Sequence, residues 1–193
     1  MERSEQSDAV LALKAQNGSR QAFDHLVLRH KTQLFRIARH YVGNSDDASD
    51  ILQETFVAAW LALKRYDSNR NFATWLRTIA LNKCRDFSRR QNVRRNILRF
   101  FSILDVREAS APSAEANLER EQTENQRLLA LDAAIATLPP TYKQALILTA
   151  FAGLSQQEAA VQLGTSAKAI EMKVRRAKQR LEEAVKRLNL DEA

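Results

Sequence analysis

Apolar residues recur at three- and four-residue intervals through most of this chain, and the breaks fall at glycine, proline or polar capping residues. Ser7 and Asp8 open a short helix, AVLALKAQ, that ends by Gly18. Ser19 starts a longer one with Ala22, Phe23, Leu26, Val27, Leu34, Ile37, Ala38 and Tyr41 on one side, stopped at Gly43 and Asn44. Ser45-Asp46-Asp47 gives the next helix a negative first turn that suits its dipole. Its apolar positions include Ile51, Leu52, Phe56, Ala59, Trp60 and Leu63, while Asp50, Gln53 and Glu54 leave room for an exposed acidic patch. A polar loop, Asp67 to Asn71, precedes a fourth helix with Phe72, Leu76, Ile79, Ala80 and Phe87 on its core face. The pattern predicts one helical domain over residues 7 to about 91.

The character then changes. RRNILRFFSILDVR is basic and apolar, and ASAPSAEANLEREQTENQ is small, polar and acidic, which reads as a flexible linker. The apolar segment 96–104, with Phe100 and Phe101, is costly to leave in water. Extension of the preceding helix, packing on a domain or a partner would each cover it. A second domain begins near Leu128. LLALDAAIATL ends at Pro139-Pro140, TYKQALILTAF ends at Gly153, and Ser155 with Glu158 has capping-box spacing ahead of QQEAAVQL. Gly164-Thr165 turns the chain, and Ser166 caps a last helix with an inner stripe of Ile170, Val174, Ala177, Leu181, Val185 and Leu188. Helix, glycine turn, helix is a helix-turn-helix, with Ala159, Val161, Leu163 and Ile170 as its expected interlocking core. The fold class is all-α: two small helical domains and a linker.

Composition narrows the function. The 193 residues hold 30 Lys and Arg against 23 Asp and Glu, a net +7, which favours a polyanionic partner. No apolar run approaches the about 20 residues of a membrane span. MERSEQSDAV lacks a signal peptide's apolar core, and a single Cys84 precludes an internal disulfide, so a cytoplasmic setting is expected. His25, His30 and His40 do not share a side of their helix, so no metal site is expected. Cys84 sits between Lys83 and Arg85, but a small semi-buried side chain is the better reading than a redox group. With no glycine-rich phosphate loop and no nucleophile-base set, neither an enzyme nor a cofactor is expected.

Two faces suit nucleic acid. On the fourth helix Trp75, Thr78, Asn82, Arg85 and Arg89 step by three or four, combining an aromatic, small polar groups and guanidiniums. The alternative is a solvated basic face beside a core Trp. On the last helix Lys168, Glu171, Met172, Arg175 and Arg176 point outward, where Arg suits guanine, Glu cytosine and Met a thymine methyl. The alternative there is a helical hairpin with a charged outer face.

Both halves resemble bacterial RNA polymerase sigma factors of the extracytoplasmic-function group. The resemblance rests on D-x-x-Q-E-T-F-x-x-x-W at Asp50 to Trp60, T-W-L-x-x-I-A-x-N at Thr74 to Asn82, and LPPTYKQALILTAFAGLSQQEAAVQLGTS with the basic helix after it. It implies sigma region 2 over residues 1–92, a linker over 93–127 and sigma region 4 over 128–193. Asp50, Gln53 and Glu54 would then face core RNA polymerase. The loop Tyr66 to Phe72, with Asp67 and Arg70, would capture a flipped base of the −10 element, and Asn82 would hold it by hydrogen bonds. Arg77, Arg85 and Arg89 would grip phosphates beside Trp75. Lys168, Glu171, Met172, Arg175 and Arg176 would read the −35 promoter duplex. The implied partners are core polymerase, promoter DNA and an anti-sigma factor, with no membrane insertion. Glu171 and Met172 depart from the basic or small polar residues common in the family, which leaves the −35 sequence open. A decoy that binds only an anti-sigma partner, or a stand-alone helix-turn-helix regulator, are the alternatives.

Overall fold

The structure, a computed structural model, describes residues 6–102, 131–132 and 134–190, with side chains described as far as Gln91 in the first stretch and Ala184 in the last. All regular elements among them are helical. The first domain comprises α1 (Asp8–Gln16), α2 (Arg20–Val42), α3 (Ser45–Ala62), a 3-10 turn (Leu63–Arg65) and α4 (Phe72–Ser102). The second comprises α5 (helical residues 131–132 and 134–137), α6 (Pro140–Leu146), a π turn (Ile147–Phe151), α7 (Gln156–Leu163) and α8 (Ala167–Leu190).

The caps follow the sequence. Ser7 and Ser19 accept from the third amide of their helices, and Ser155 and Glu158 close a full capping box. α3 begins at Ser45, as expected, and Asn44 caps it, its amide oxygen accepting from Asp47 N at 2.8 Å. The two carboxylates Asp46 and Asp47 fall in the first turn.

The core follows the periodicity with three departures. Leu26, Ile37, Ile51, Leu76 and Ala80 are buried, and so are Ile147, Leu148, Ile170 and Ala177. Val161 is 80% exposed, however; Ala159 and Ala160 occupy the inner side of α7, and a residue 100–200° further round the helix points away. Trp60 lies at the rim, edge-on to Phe23 with centroids 4.9 Å apart. Cys84 is wholly rather than partly buried.

The two domains pack directly on each other. Helices α2 and α4 of the first meet the π turn, α6 and α7 of the second, and the buried apolar residues form one continuous cluster. Gly43 allows a close approach of the backbones: at φ 92° it caps α2, and a Cβ there would meet the Ala136 Cβ at 3.4 Å. The π turn widens the chain so that Ala152 N reaches back to Ile147 O, and this sets Phe151 and the Ala152 carbonyl against α2. The α4 backbone stays helical through Ser102, so the first part of the apolar segment 96–104 extends that helix. Its side chains, and the linker beyond Ser102, lie outside the described residues.

Candidate nucleic-acid interface

The loop between α3 and α4 is built rather than slack. The Asp67 carboxylate accepts from Asn69 N at 3.0 Å and its carbonyl from Arg70 N at 3.0 Å. From α1, the Gln16 amide donates to the Leu63 and Tyr66 carbonyls at 2.9 and 2.7 Å, fixing the entry. The Tyr66 hydroxyl donates to the Arg70 carbonyl across the loop. Burial first, then the Asp67 and Asp8 carboxylates, push that hydroxyl's pKa up, which keeps the proton the bond needs. Asn71 ends the loop by capping α4, its side chain accepting from Thr74 N at 2.9 Å.

The aromatic residues do not stand where the sequence suggests. Tyr66 and Phe72 are buried, 5% and 3% exposed, and Tyr66, Phe72 and Trp75 form a cluster with centroids 4.9–5.4 Å apart. Their apolar rings gain more from burial against His30 and one another than from open stacking faces. They therefore form the floor of the loop. Only the half-buried Trp75 retains an edge at the surface, while Asp67 and Arg70 are exposed at the rim and paired at 3.6 Å.

Along α4 the polar stripe divides. Asn82, Arg85 and Arg89 are exposed, and Asn82 accepts from the Arg85 guanidinium, so the amide and the cation present one polar surface. Arg77 is not free to reach a phosphate. It is half-buried, bonded to Thr74 Oγ1 at 3.2 Å, and desolvation lowers its pKa against a smaller raising effect of Glu158 on α7. A recess of about 310 Å³ separates the domains, with Thr78, Asn82 and Arg85 on one wall and Gln144, Gln162 and Lys173 on the other. The second domain's polar residues there were invisible to a reading of α4 alone.

On α3, Asp50 and Gln53 are exposed and Glu54 is paired with Lys83 at 3.2 Å and Arg90 at 3.7 Å. Beside them stand Val57 and Leu61, 60% and 76% exposed, which the sequence reading missed. Their signal was present: positions 50, 54, 57 and 61 form a second helical stripe, out of phase with the buried Ile51, Thr55 and Ala59. An acidic row with two exposed aliphatics suits a protein partner better than DNA.

On α8, Lys168, Glu171, Met172, Arg175 and Arg176 are all exposed on the face opposite Ile170 and Ala177. Arg176 also lies 3.4 Å from the Tyr142 hydroxyl, and Arg180 lies over that ring. The turn before α8 is fixed by Gly164 at φ 62° and by Ser166, which accepts from Ala169 N. No group of three or more metal-ligating side chains occurs among the described residues, and no helix there is long and apolar enough to cross a membrane.

This pairing of an acidic-apolar stripe and a basic, polar face in one domain with a helix-turn-helix in the other defines a recognisable class. A family model for Sigma-70 region 2 matches residues 26–94, and one for Sigma-70, region 4 matches residues 128–181. The chain is 40% identical to RNA polymerase sigma factor NccH of Alcaligenes xylosoxydans xylosoxydans over 174 residues, 90% of this chain and 92% of that one. It is 28% identical to the ECF RNA polymerase sigma factor SigE of Mycolicibacterium smegmatis over 173 residues, 90% of this chain and 65% of that one. The solved structure of CnrH in complex with the cytosolic domain of CnrY matches with a TM-score of 0.68 at 32% identity, covering 93% of this chain and 97% of that one. The chain belongs to the RNA polymerase sigma factors, in their extracytoplasmic-function group. Proteins of this family are transcription factors rather than enzymes.

Proposed function

We propose that this protein is a cytoplasmic, non-enzymatic initiation subunit that docks on core RNA polymerase, takes it to particular promoters and helps open the −10 element. Region 2, residues 1–92, does the docking through Asp50, Gln53, Glu54, Val57 and Leu61, and holds the unpaired strand on the Asp67–Arg70 loop, Trp75, Asn82, Arg85 and Arg89. Region 4, residues 128–193, reads the −35 duplex with the outer face of α8, and residues 93–127 link the two. Binding energy opens the duplex: extruding a base costs roughly a few kcal/mol, within reach of a preorganised loop and several phosphate contacts. No cofactor is required. The observation that carries this reading is the loop, fixed by Gln16, Tyr66 and Asn71 and leading into the helix that exposes the Asn82–Arg85 pair. Since CnrH is solved with the cytosolic domain of CnrY, an anti-sigma protein is the regulator we expect.

Transcription from genomic fragments by purified core polymerase, with and without the protein, tests the proposal. Start sites that depend on the protein and share upstream motifs support it. No protein-dependent start would leave a decoy, and tight duplex binding without polymerase would favour a stand-alone regulator.

A further inference from the structure

The short helix α1 carries none of the residues assigned above to contact polymerase or DNA, yet it is tied to both ends of the loop between α3 and α4. Its apolar side, Leu11, Ala12 and Ala15, is buried, and the helix packs on α2, α4 and the 3-10 turn. At its C-terminal end the Gln16 amide donates to the Leu63 carbonyl at 2.9 Å and the Tyr66 carbonyl at 2.7 Å, 47 and 50 residues away in sequence. At its N-terminal end Asp8 Oδ2 lies 2.7 Å from His30 Nε2, and Arg29 donates to Asp8 Oδ1 at 2.5 Å. The His30 ring, 8% exposed, stands 5.7 Å from the ring of Phe72, the residue that opens α4 where the loop ends.

The loop's own bonds give it shape but not position. Residues 67–71 are all exposed, and bonds such as Asp67 to Asn69 and Tyr66 to Arg70 join residues close in sequence. Attachment to the rest of the domain comes through α1. A glutamine amide carries two N–H donors, so one side chain binds two carbonyls at once where α3 and the 3-10 turn end. Asp8 fixes the His30 ring, and that ring is part of the surface on which Phe72 rests. Asp8 and Gln16 are the first and last residues of this 9-residue helix, about 12 Å apart along its axis, so a single rod reaches both the entry and the exit of the loop.

We propose that α1 is a positioning splint for the strand-capture loop: Gln16 sets its entry, the Asp8–His30 pair sets its exit, and Asp67 and Arg70 are thereby held ready at the rim before the −10 strand arrives. Gln16, Asp8 and His30 are positioning residues that act through the loop and make no contact with DNA themselves. This rests on the function proposed above for that loop. A loop that is not preset must be ordered at the expense of binding, and apparent affinity for the strand falls with the fraction of molecules in the competent arrangement. Completion of the core, the plainer role of α1, belongs to Leu11, Ala12 and Ala15, which the variants below leave in place.

The test uses the full chain with three substitutions, Gln16→Met, Asp8→Ala and Arg29→Ala, each followed by a circular dichroism melt. Gln16→Met keeps the length and helix preference of the side chain and removes both donors. Strand binding is measured on holoenzyme assembled with core polymerase, at a fixed interval below each variant's Tm, with core polymerase alone as the blank. The probe is a fluorescein-labelled degenerate 12-nucleotide single-stranded DNA. Amide exchange at Asn69 and Arg70 is followed in the free chain. Gln16→Met should speed that exchange and weaken strand binding about tenfold, if one-tenth of the variant keeps the loop in place, while core docking is unchanged. Asp8→Ala should shift both readouts in the same direction, and Arg29→Ala, which leaves the Asp8–His30 contact, should match the wild type. Unchanged exchange, or faster exchange with wild-type strand binding, overturns the proposal. A parallel loss of core docking and strand binding overturns it too, because it makes α1 a structural part only. A loss for Arg29→Ala equal to that for Asp8→Ala assigns the effect to the surface pair and removes His30 from the splint. Should Gln16→Met fail to fold, Asp8→Ala decides by the same readouts. Faster exchange in the variants, with no strand binding even by the wild-type holoenzyme, rejects the assignment of the loop to DNA and keeps the splint.

Discussion

Tyr66 shows how a single residue's role changes once its neighbours are known. The sequence marks it as an aromatic beside a polar loop, ready to stack on a base. In the fold its ring is buried and its hydroxyl braces the Arg70 carbonyl. Tyr66→Phe should therefore loosen the loop by the worth of one hydrogen bond, about 1 kcal/mol, visible as faster amide exchange at residues 67–71. Asn82→Ala removes an exposed amide and disturbs no core, so core-polymerase binding should persist while open-complex formation, followed by permanganate footprinting, is impaired. Cys84 differs again. Burial pushes its thiol up to about 12, against a lesser lowering by Lys143, so at pH 8 it should resist thiol reagents until denaturant is added.

The stripe on α3 predicts that Leu61→Asp, at a position already 76% exposed, leaves stability unchanged but weakens binding to core polymerase about ten- to hundredfold in a pull-down or titration. On α8, Arg175→Ala should weaken promoter duplex binding across sequences and reduce the salt-dependence slope by about one. The start of α7 depends on its capping box. The Ser155 amide and hydroxyl hold the Glu158 carboxyl below its usual 4.5, so this stabilisation is complete above that value and is lost as pH falls through the depressed one. Ser155→Ala should cost about 1 kcal/mol near neutral pH, read as a lower Tm.

Across the whole molecule the seam between the two domains governs behaviour. Tyr41 and Cys84 both lie beside Lys143 at the junction, and burial pushes both groups up to about 12 from 10.0 and 9.0. Unfolding lets each ionise at its ordinary value, so the unfolded chain binds fewer protons at alkaline pH. Stability contributed by these groups is complete below about pH 9 and declines as pH rises towards 12. Urea midpoints measured from pH 8 to 11 should fall, and Tyr41→Phe should flatten part of the decline.

Helix periods, caps and the glycine turn are local properties, set by residues three or four apart, and so they are legible in the chain without its fold. That is why Ser7, Ser19, Ser155, Glu158, Gly164 and Ser166 could be read at once, and why the outward face of α8 is where its charges predicted. Position 161 could not be read so well, because which side of a short amphipathic helix turns inward depends on the neighbour it meets. The exposed aliphatics of α3 were hidden for a similar reason: exposure is a property of what packs nearby. Contacts between residues some ninety positions apart, His40 to Asp132 and Gln162 to Thr74, leave no local periodic trace. Thus the amino-acid pattern alone determined the helices, the two domains and the chemistry of their faces. Only the tertiary structure decided which faces meet, since the burial of Asp132 and Lys143 and the bond from Gln162 to Thr78 come from packing between distant segments.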